Sequence, residues 1–393
     1  MKRTVLTGLV SALALVASGA VAEIKIAHVY GKTGPLEAYA KQSHDGLMLG
    51  LEYATGGTME IDGEKIVVIE KDTQMKPDNG KALLAEAYGD DEADIAVGPV
   101  SSGVALAMLP VAEEYEKILI VEPAVADSIT GSNWNRYIFR TGRNSSQDAV
   151  ANAIALAGPD VKIATLAQDY AFGRDGVAAF KEALEGTGTE IVTEEYVPTD
   201  TTDFTAAAER IFNAMKDVDG KKKLFVIWAG GGNPMSKIQS MDPSRFGIEM
   251  ATGGNILAAL SAYKQFPGME GATYYFYENP KNEINDWLVK THQERFGTPP
   301  DFFTAGGMAA GLAVVEAIKK AGGTDTDGLI AAMEGMEWDT PKGKMMFRAE
   351  DHQALQSMYH FKIKVEDGVE WAIPELVREL KIEDLPIPIR NGK

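Results

Sequence analysis

Cysteine is absent from this chain of 393 residues. That excludes disulfides, thiolate metal sites, iron–sulfur ligation by cysteine and any cysteine nucleophile. Basic residues are outnumbered: 38 Lys and Arg stand against 57 Asp and Glu, a net charge of −19. Such a surface repels phosphate backbones, so no nucleic-acid partner is expected. Histidine is sparse, and His28, His44, His292, His352 and His360 fall in no HxH or HExxH spacing. No metal and no other cofactor is expected. A GxSxG nucleophile elbow is missing. Gly230-Gly231-Gly232 is followed by no GK[ST] and is no GxGxxG, so neither phosphate-cradle fingerprint is present. Beyond the N-terminus, no stretch reads as a membrane span, which needs about 20 apolar residues.

The N-terminus holds the one leader-like run. Lys2 and Arg3 precede the mostly apolar stretch Val5 to Val16, and Ala20-Val21-Ala22 is a small-x-small cleavage site. Residues 1–22 therefore read as a secretory leader, cleaved after Ala22, with Glu23 opening the mature chain. The run is too short to span a bilayer. A soluble exported protein without membrane insertion is expected. The chain is 45% apolar, enough for a large core, and its length suggests two domains.

Apolar runs of strand character alternate with stretches of helical spacing. Ile24 to Val29, Lys65 to Glu70, Asp94 to Val97 and Ile118 to Val121 read as strands, with helical patterns between them. A second series follows, with strands at Lys162 to Ala167, Glu190 to Val197 and Leu224 to Trp228. This alternation means βαβ units and parallel sheets. The fold class is α/β, with two doubly wound lobes and a ligand cleft between them. No Pro-, Ser- or Gly-rich linker separates the series, so short hinge crossings are expected near Arg140 to Thr141, Tyr275 to Tyr277 and Met345 to Phe347. Residues 23–140 with 277–345 form lobe 1, and 141–276 with 346–393 form lobe 2.

Open α/β sheets bind ligands at the carboxyl ends of their strands. Ser102 follows the third strand at the start of a helix. It is read either as a plain N-cap or as a hydroxyl that holds a carboxylate. Ala124 to Ala126 follow the fourth strand. Asp169-Tyr170-Ala171-Phe172-Gly173, Trp228 and Thr252-Gly253-Gly254-Asn255 end strands of the second series.

Several segments together carry a resemblance. Thr33-Gly34-Pro35 with Tyr39 is similar to an SGP…aromatic loop. Val97-Gly98-Pro99-Val100-Ser101-Ser102 is similar to a G-x-x-S-S segment. Glu122-Pro123-Ala124-Val125-Ala126, Asp169-Tyr170-Ala171-Phe172-Gly173 and Thr201-Thr202-Asp203-Phe204 follow in the matching order. In these the mature chain resembles the periplasmic solute-binding proteins of branched-chain amino acid ABC importers, two-lobed receptors of the type I periplasmic binding fold. The resemblance implies a non-enzymatic receptor in the periplasm, monomeric, that hands a small-molecule ligand to a membrane permease. It puts the ligand carboxylate on Ser102 and on the backbone of Ala124 and Ala126. It puts the aromatic walls on Tyr39 and Phe172, to which Trp228 and Asn255 are added as strand-end candidates.

The chain departs from the family where the ligand's ammonium would be held. Ala126 stands in place of a threonine, and Gly254-Asn255 in place of an acid. A buried ammonium without a paired charge is costly. The expectation is a small carboxylate with an apolar or aromatic body, for which an ammonium is not obligatory, although Asn255 or Glu278 could compensate. Arg143 and Arg174 could each give a bidentate carboxylate contact, or lie on the surface. Other readings are a sensor's ligand-binding module, a binder of short amides and, least favoured, a hydrolase using Ser102.

Overall fold

A computed structural model describes residues 23–392, so the leader reading of residues 1–22 lies outside the described residues. A six-stranded sheet runs in the order Glu60–Ile61, Glu64–Asp72, Glu23–Tyr30, Ile95–Val97, Ile118–Val121, Ile138–Arg140. All neighbours are parallel except the short first strand, which forms a hairpin with the second. A four-stranded parallel sheet runs Ile248–Thr252, Lys221–Ile227, Val161–Gln168, Glu190–Val197. Helices cover both sheets, which is why their central strands are apolar on both faces: Ile118 to Val121 are all fully buried. The two sheets are the cores of two doubly wound lobes.

Two antiparallel sheets complete the molecule. Glu270–Thr273, Met358–Lys364 and Ile373–Leu380 form one; Glu337–Thr340, Gly343–Phe347 and Ala354–Leu355 form the other. The second explains a misplaced crossing. Met345 to Phe347 was expected to pass between lobes, but it pairs with Glu337–Thr340, and Phe347 packs on Trp338 in the first lobe's core. The chain leaves that core about ten residues later. Met358 still belongs to it, and Phe361 already packs in the second lobe. A hairpin strand and a crossing share the same apolar alternation, so only the pairing partner separates them.

The helix Phe302–Ala321 revises another expectation. Its 20 residues are long and apolar enough to cross a membrane, yet its apolar window is 89% buried within the protein. An all-round apolar helix is a core helix when protein covers every face. It lies against the helix Glu37–Ala54 at very short range. A Cβ on Gly307 would sit 2.0 Å from the Ser43 carbonyl oxygen, and one on Gly46 2.0 Å from that of Thr304. Glycine on both helices is what lets the two backbones meet. This contact fixes the N-terminal end of the long helix beside Tyr39, at the mouth of the cleft.

Candidate ligand cleft

A cavity of about 950 Å³, including its open mouth, lies between the lobes. Tyr39, Ser102, Phe172, Trp228 and Asn255, all singled out in the sequence, line it. Ala124 and Ala126 do not. Their N–H groups are already spent: Ala124 donates to the Pro99 carbonyl at 3.2 Å, and Ala126 donates to Ser102 Oγ at 3.1 Å. Pro123 and Val125, on the alternate positions of the turn, face the cavity instead.

Ser102 opens the helix Ser102–Tyr115 but does not cap it, since neither Ser101 nor Ser102 bonds to the helix's free amides. Its oxygen accepts the Ala126 N–H, which leaves the hydroxyl proton free to donate to a ligand. The turn behind is held by Arg140, which is fully buried. It donates Nε to Gln353 at 2.6 Å and Nη1 to the Ala126 carbonyl at 2.7 Å. Burial lowers its pKa to about 10, which keeps it charged at neutral pH.

Arg143 is the feature the sequence left undecided. It lies just past the first hinge crossing and lines the cavity. Its guanidinium is held over the rings of Tyr274 and Phe302, at 4.9 and 5.1 Å from their centroids. Nε donates to Asp148 Oδ1 at 3.0 Å. Neither terminal amino group has a protein acceptor among the described residues. A stacked guanidinium with two free donors is built to receive a carboxylate. Arg174, the other candidate, does not line the cavity. It pairs with Asp169 at 2.7 Å and stacks on Tyr196.

One wall is a helix face. Asn144 caps the helix Ser145–Leu156 by accepting from Gln147 N at 2.8 Å. Ser145, Asp148, Ala149 and Asn152 then fall at i, i+3, i+4 and i+7 and all line the cavity. Asp148 supplies an acid that the sequence reading sought after the strand Ile248–Thr252. An acid cannot stand at Gly254: a Cβ there would lie 2.2 Å from Thr273 Oγ1, at the end of the strand Glu270–Thr273. Burial raises the Asp148 carboxyl above its ordinary pKa, and Arg143 opposes the shift.

The remaining walls are aromatic. Tyr39 packs on Phe303 at 4.4 Å between centroids, and Tyr170 lies 5.8 Å from Phe172. Trp228 is fixed by a bond from Nε1 to the Gly231 carbonyl at 3.1 Å and by edge contact with Phe204. Tyr170, Phe302 and Phe303 were not singled out in the sequence as walls. Phe302 and Phe303 come from the remote helix start after Asp301, which only tertiary structure brings here.

The lobes touch across the mouth. Tyr39 Oη accepts the Gly230 N–H at 2.9 Å and donates to Asn255 Oδ1 at 3.0 Å. Asp301 caps its own helix through Phe302 N at 2.7 Å and also accepts Leu257 N, at the start of a helix in the other lobe, at 3.0 Å. Asp175 accepts Ser128 N at 3.0 Å.

Comparison with known proteins agrees with this architecture. The family model described as periplasmic binding protein matches residues 23–369. The Leu/Ile/Val-binding protein BraC3 of Rhizobium johnstonii is 26% identical over 92% of this chain and 96% of its own. A solved ABC-type branched-chain amino acid transporter from Rhodopseudomonas palustris CGA009 is 71% identical, with a TM-score of 0.85 over 94% of this chain and 100% of that one. A solute-binding protein of an ABC transporter from Rhodopseudomonas palustris BisB5, solved with 3,4-dihydroxy benzoic acid, is 29% identical, with a TM-score of 0.81 over 93% and 99%. With two lobes, a hinge and an interlobe cleft in place, the chain belongs to the periplasmic binding proteins, as a solute-binding protein of the ABC transporter type.

Proposed function

We propose that the cleft captures a small carboxylate with an apolar or aromatic body and delivers it, in the periplasm, to the permease of an ABC importer. The observation that carries this is Arg143: a cation stacked among aromatic rings, with both terminal amino groups free, lining the cavity. The Ser102 hydroxyl is a second donor. Tyr39, Phe172, Trp228 and Phe303 give the body of the ligand apolar contact. The relative crystallised with a dihydroxybenzoic acid supports an aromatic acid, and the relatives named for branched-chain amino acids support an aliphatic one.

The same residues support capture without catalysis. A serine nucleophile needs a general base within hydrogen-bond reach. Among the described residues, no histidine lines this cavity and the one partner of Ser102 Oγ is a backbone amide. The hinge segments favour lobes drawn as 23–140 with 277–355 and 141–276 with 356–393. The chain is proposed to act as a monomer after cleavage behind Ala22.

The test is thermal unfolding of refolded, ligand-stripped mature protein with small acids, each beside its uncharged amide. Ligand that binds only the native state raises the midpoint by mass action. The expected result is a rise with one or more acids and none with the paired amides. Equal rises with acid and amide would remove the carboxylate from the reading.

A further inference from the structure

We infer that Asp148 is a specificity-determining residue of the cleft, selecting carboxylates that carry a hydrogen-bond donor, N–H or O–H, on the carbon next to the carboxyl group. The inference rests on the carboxylate reading of Arg143.

The geometry of one carboxyl group carries it. Asp148 Oδ1 receives Arg143 Nε at 3.0 Å. Oδ2 receives nothing from the described residues. The side chain keeps 31% of its surface accessible, and it lines the interlobe cavity, so the open oxygen faces ligand space. When a ligand fills the cleft and displaces water from this oxygen, leaving it without a donor is costly.

Three neighbouring groups that line the cavity are engaged elsewhere. Ser145 Oγ is given to the Val125 carbonyl at 3.1 Å. Asn152 Nδ2 is given to the Asp148 main-chain carbonyl at 2.8 Å. Thr252 Oγ1 is given to the Val226 carbonyl at 2.8 Å. A donor on the ligand can fill the open place on Oδ2.

Its place on the ligand follows from Arg143. A carboxylate on the free amino groups of that guanidinium lies beside the open Asp148 oxygen, because one planar group joins the two. A plain acid then sets two carboxylates around a single cation. A donor on the adjacent carbon stays within about 3 Å of its own carboxylate and can bridge to Oδ2 at ordinary hydrogen-bond length. A 2-hydroxy acid and a 2-amino acid both satisfy this. The acid missing from the strand end at Gly254 is thereby replaced from a helix.

The experiment is calorimetry on refolded, ligand-stripped mature protein with two matched trios. One is 4-methylpentanoate, 2-hydroxy-4-methylpentanoate and leucine. The other is 3-phenylpropanoate, 3-phenyllactate and phenylalanine. In the trio whose body fits, at least one donor-bearing member should bind about tenfold or more tightly than the plain acid, as a charge-assisted hydrogen bond implies. Asp148→Asn should collapse that ratio to about threefold or less. The ratio is the readout, because loosening of Arg143 weakens all members alike. Plain acids binding as tightly as their donor-bearing partners in the unmutated protein would overturn the inference without touching the carboxylate reading. A ratio preserved in the folded variant would overturn it too. No binding by either trio, together with no response to any other carboxylate, would overturn the carboxylate reading and the inference with it.

Discussion

Arg143 shows how a single residue gains its role from its surroundings. In sequence it is one of 38 cations in an acidic chain. In the fold, Tyr274 and Phe302 flank it, and Asp148 fixes its orientation through Nε. Planarity is what this arrangement uses: it permits stacking and leaves two parallel donors for a carboxylate. Arg143→Lys keeps the charge and loses the plane. The expected outcome is a carboxylate affinity weakened by about tenfold to a hundredfold, which calorimetry on the preferred acid would measure. Retention of affinity within twofold would mean that charge alone suffices and that the stacked geometry is incidental. Ser102 is the converse case. Its place in the G-x-x-S-S segment was legible, but the fate of its neighbours was not. The Ala126 amide, expected to meet the ligand, is satisfied by Ser102 itself.

Among the elements, the start of the helix Phe302–Ala321 joins packing to closure. Asp301 accepts from its own helix, from Gln42 Nε2 at 2.8 Å and from Leu257 of the other lobe. Burial nevertheless raises its pKa from 3.8 to about 6, the donors opposing. The sign follows from linkage. A raised carboxyl pKa means that the folded protein holds the proton more tightly than the unfolded chain. The stability it contributes is complete below pH about 4 and is lost as pH rises through about 6. Asp301→Asn has no such titration. Between pH 4 and 7 the unfolding free energy of the native protein should fall relative to the variant by up to about 3 kcal/mol. Denaturant unfolding of both proteins at several pH values checks it. Any constant cost of the lost oxygen drops out of the slope. A pH-independent difference would show that the donors hold the carboxylate ionised throughout.

At the scale of the whole molecule, the lobes are joined by polar contacts that ligand does not supply: Tyr39 with Gly230 and Asn255, Asp301 with Leu257, Asp175 with Ser128. Each is one to a few hydrogen bonds, and a net hydrogen bond contributes only about 1 kcal/mol. Such a set biases closure without fixing it, so ligand should add the deciding contacts by hinge bending. X-ray scattering of the stripped protein should show a smaller radius of gyration at saturating ligand. An unchanged radius would mean that the lobes are already closed without ligand.

The sequence by itself determined the two α/β lobes. Strand and helix periodicities are local, and their alternation leaves parallel doubly wound sheets as the economical packing. It also marked Tyr39, Ser102, Phe172, Trp228 and Asn255, because strand ends are where such sheets meet ligands and strand ends are visible as apolar runs that stop. Only the tertiary structure decided the rest. Whether an amide is free depends on what lies opposite it, which withdrew Ala124 and Ala126. Whether an apolar run crosses a hinge or folds back as a hairpin depends on its partner, which moved the third crossing beyond Phe347. Whether an acid fits depends on neighbours remote in sequence: Thr273 closes the space at Gly254, while the face of the helix Ser145–Leu156 turns Asp148 into the cavity beside Arg143. Periodicity assigns a residue to a face of its own element, and the charge balance of a cleft is set by which faces come to oppose one another.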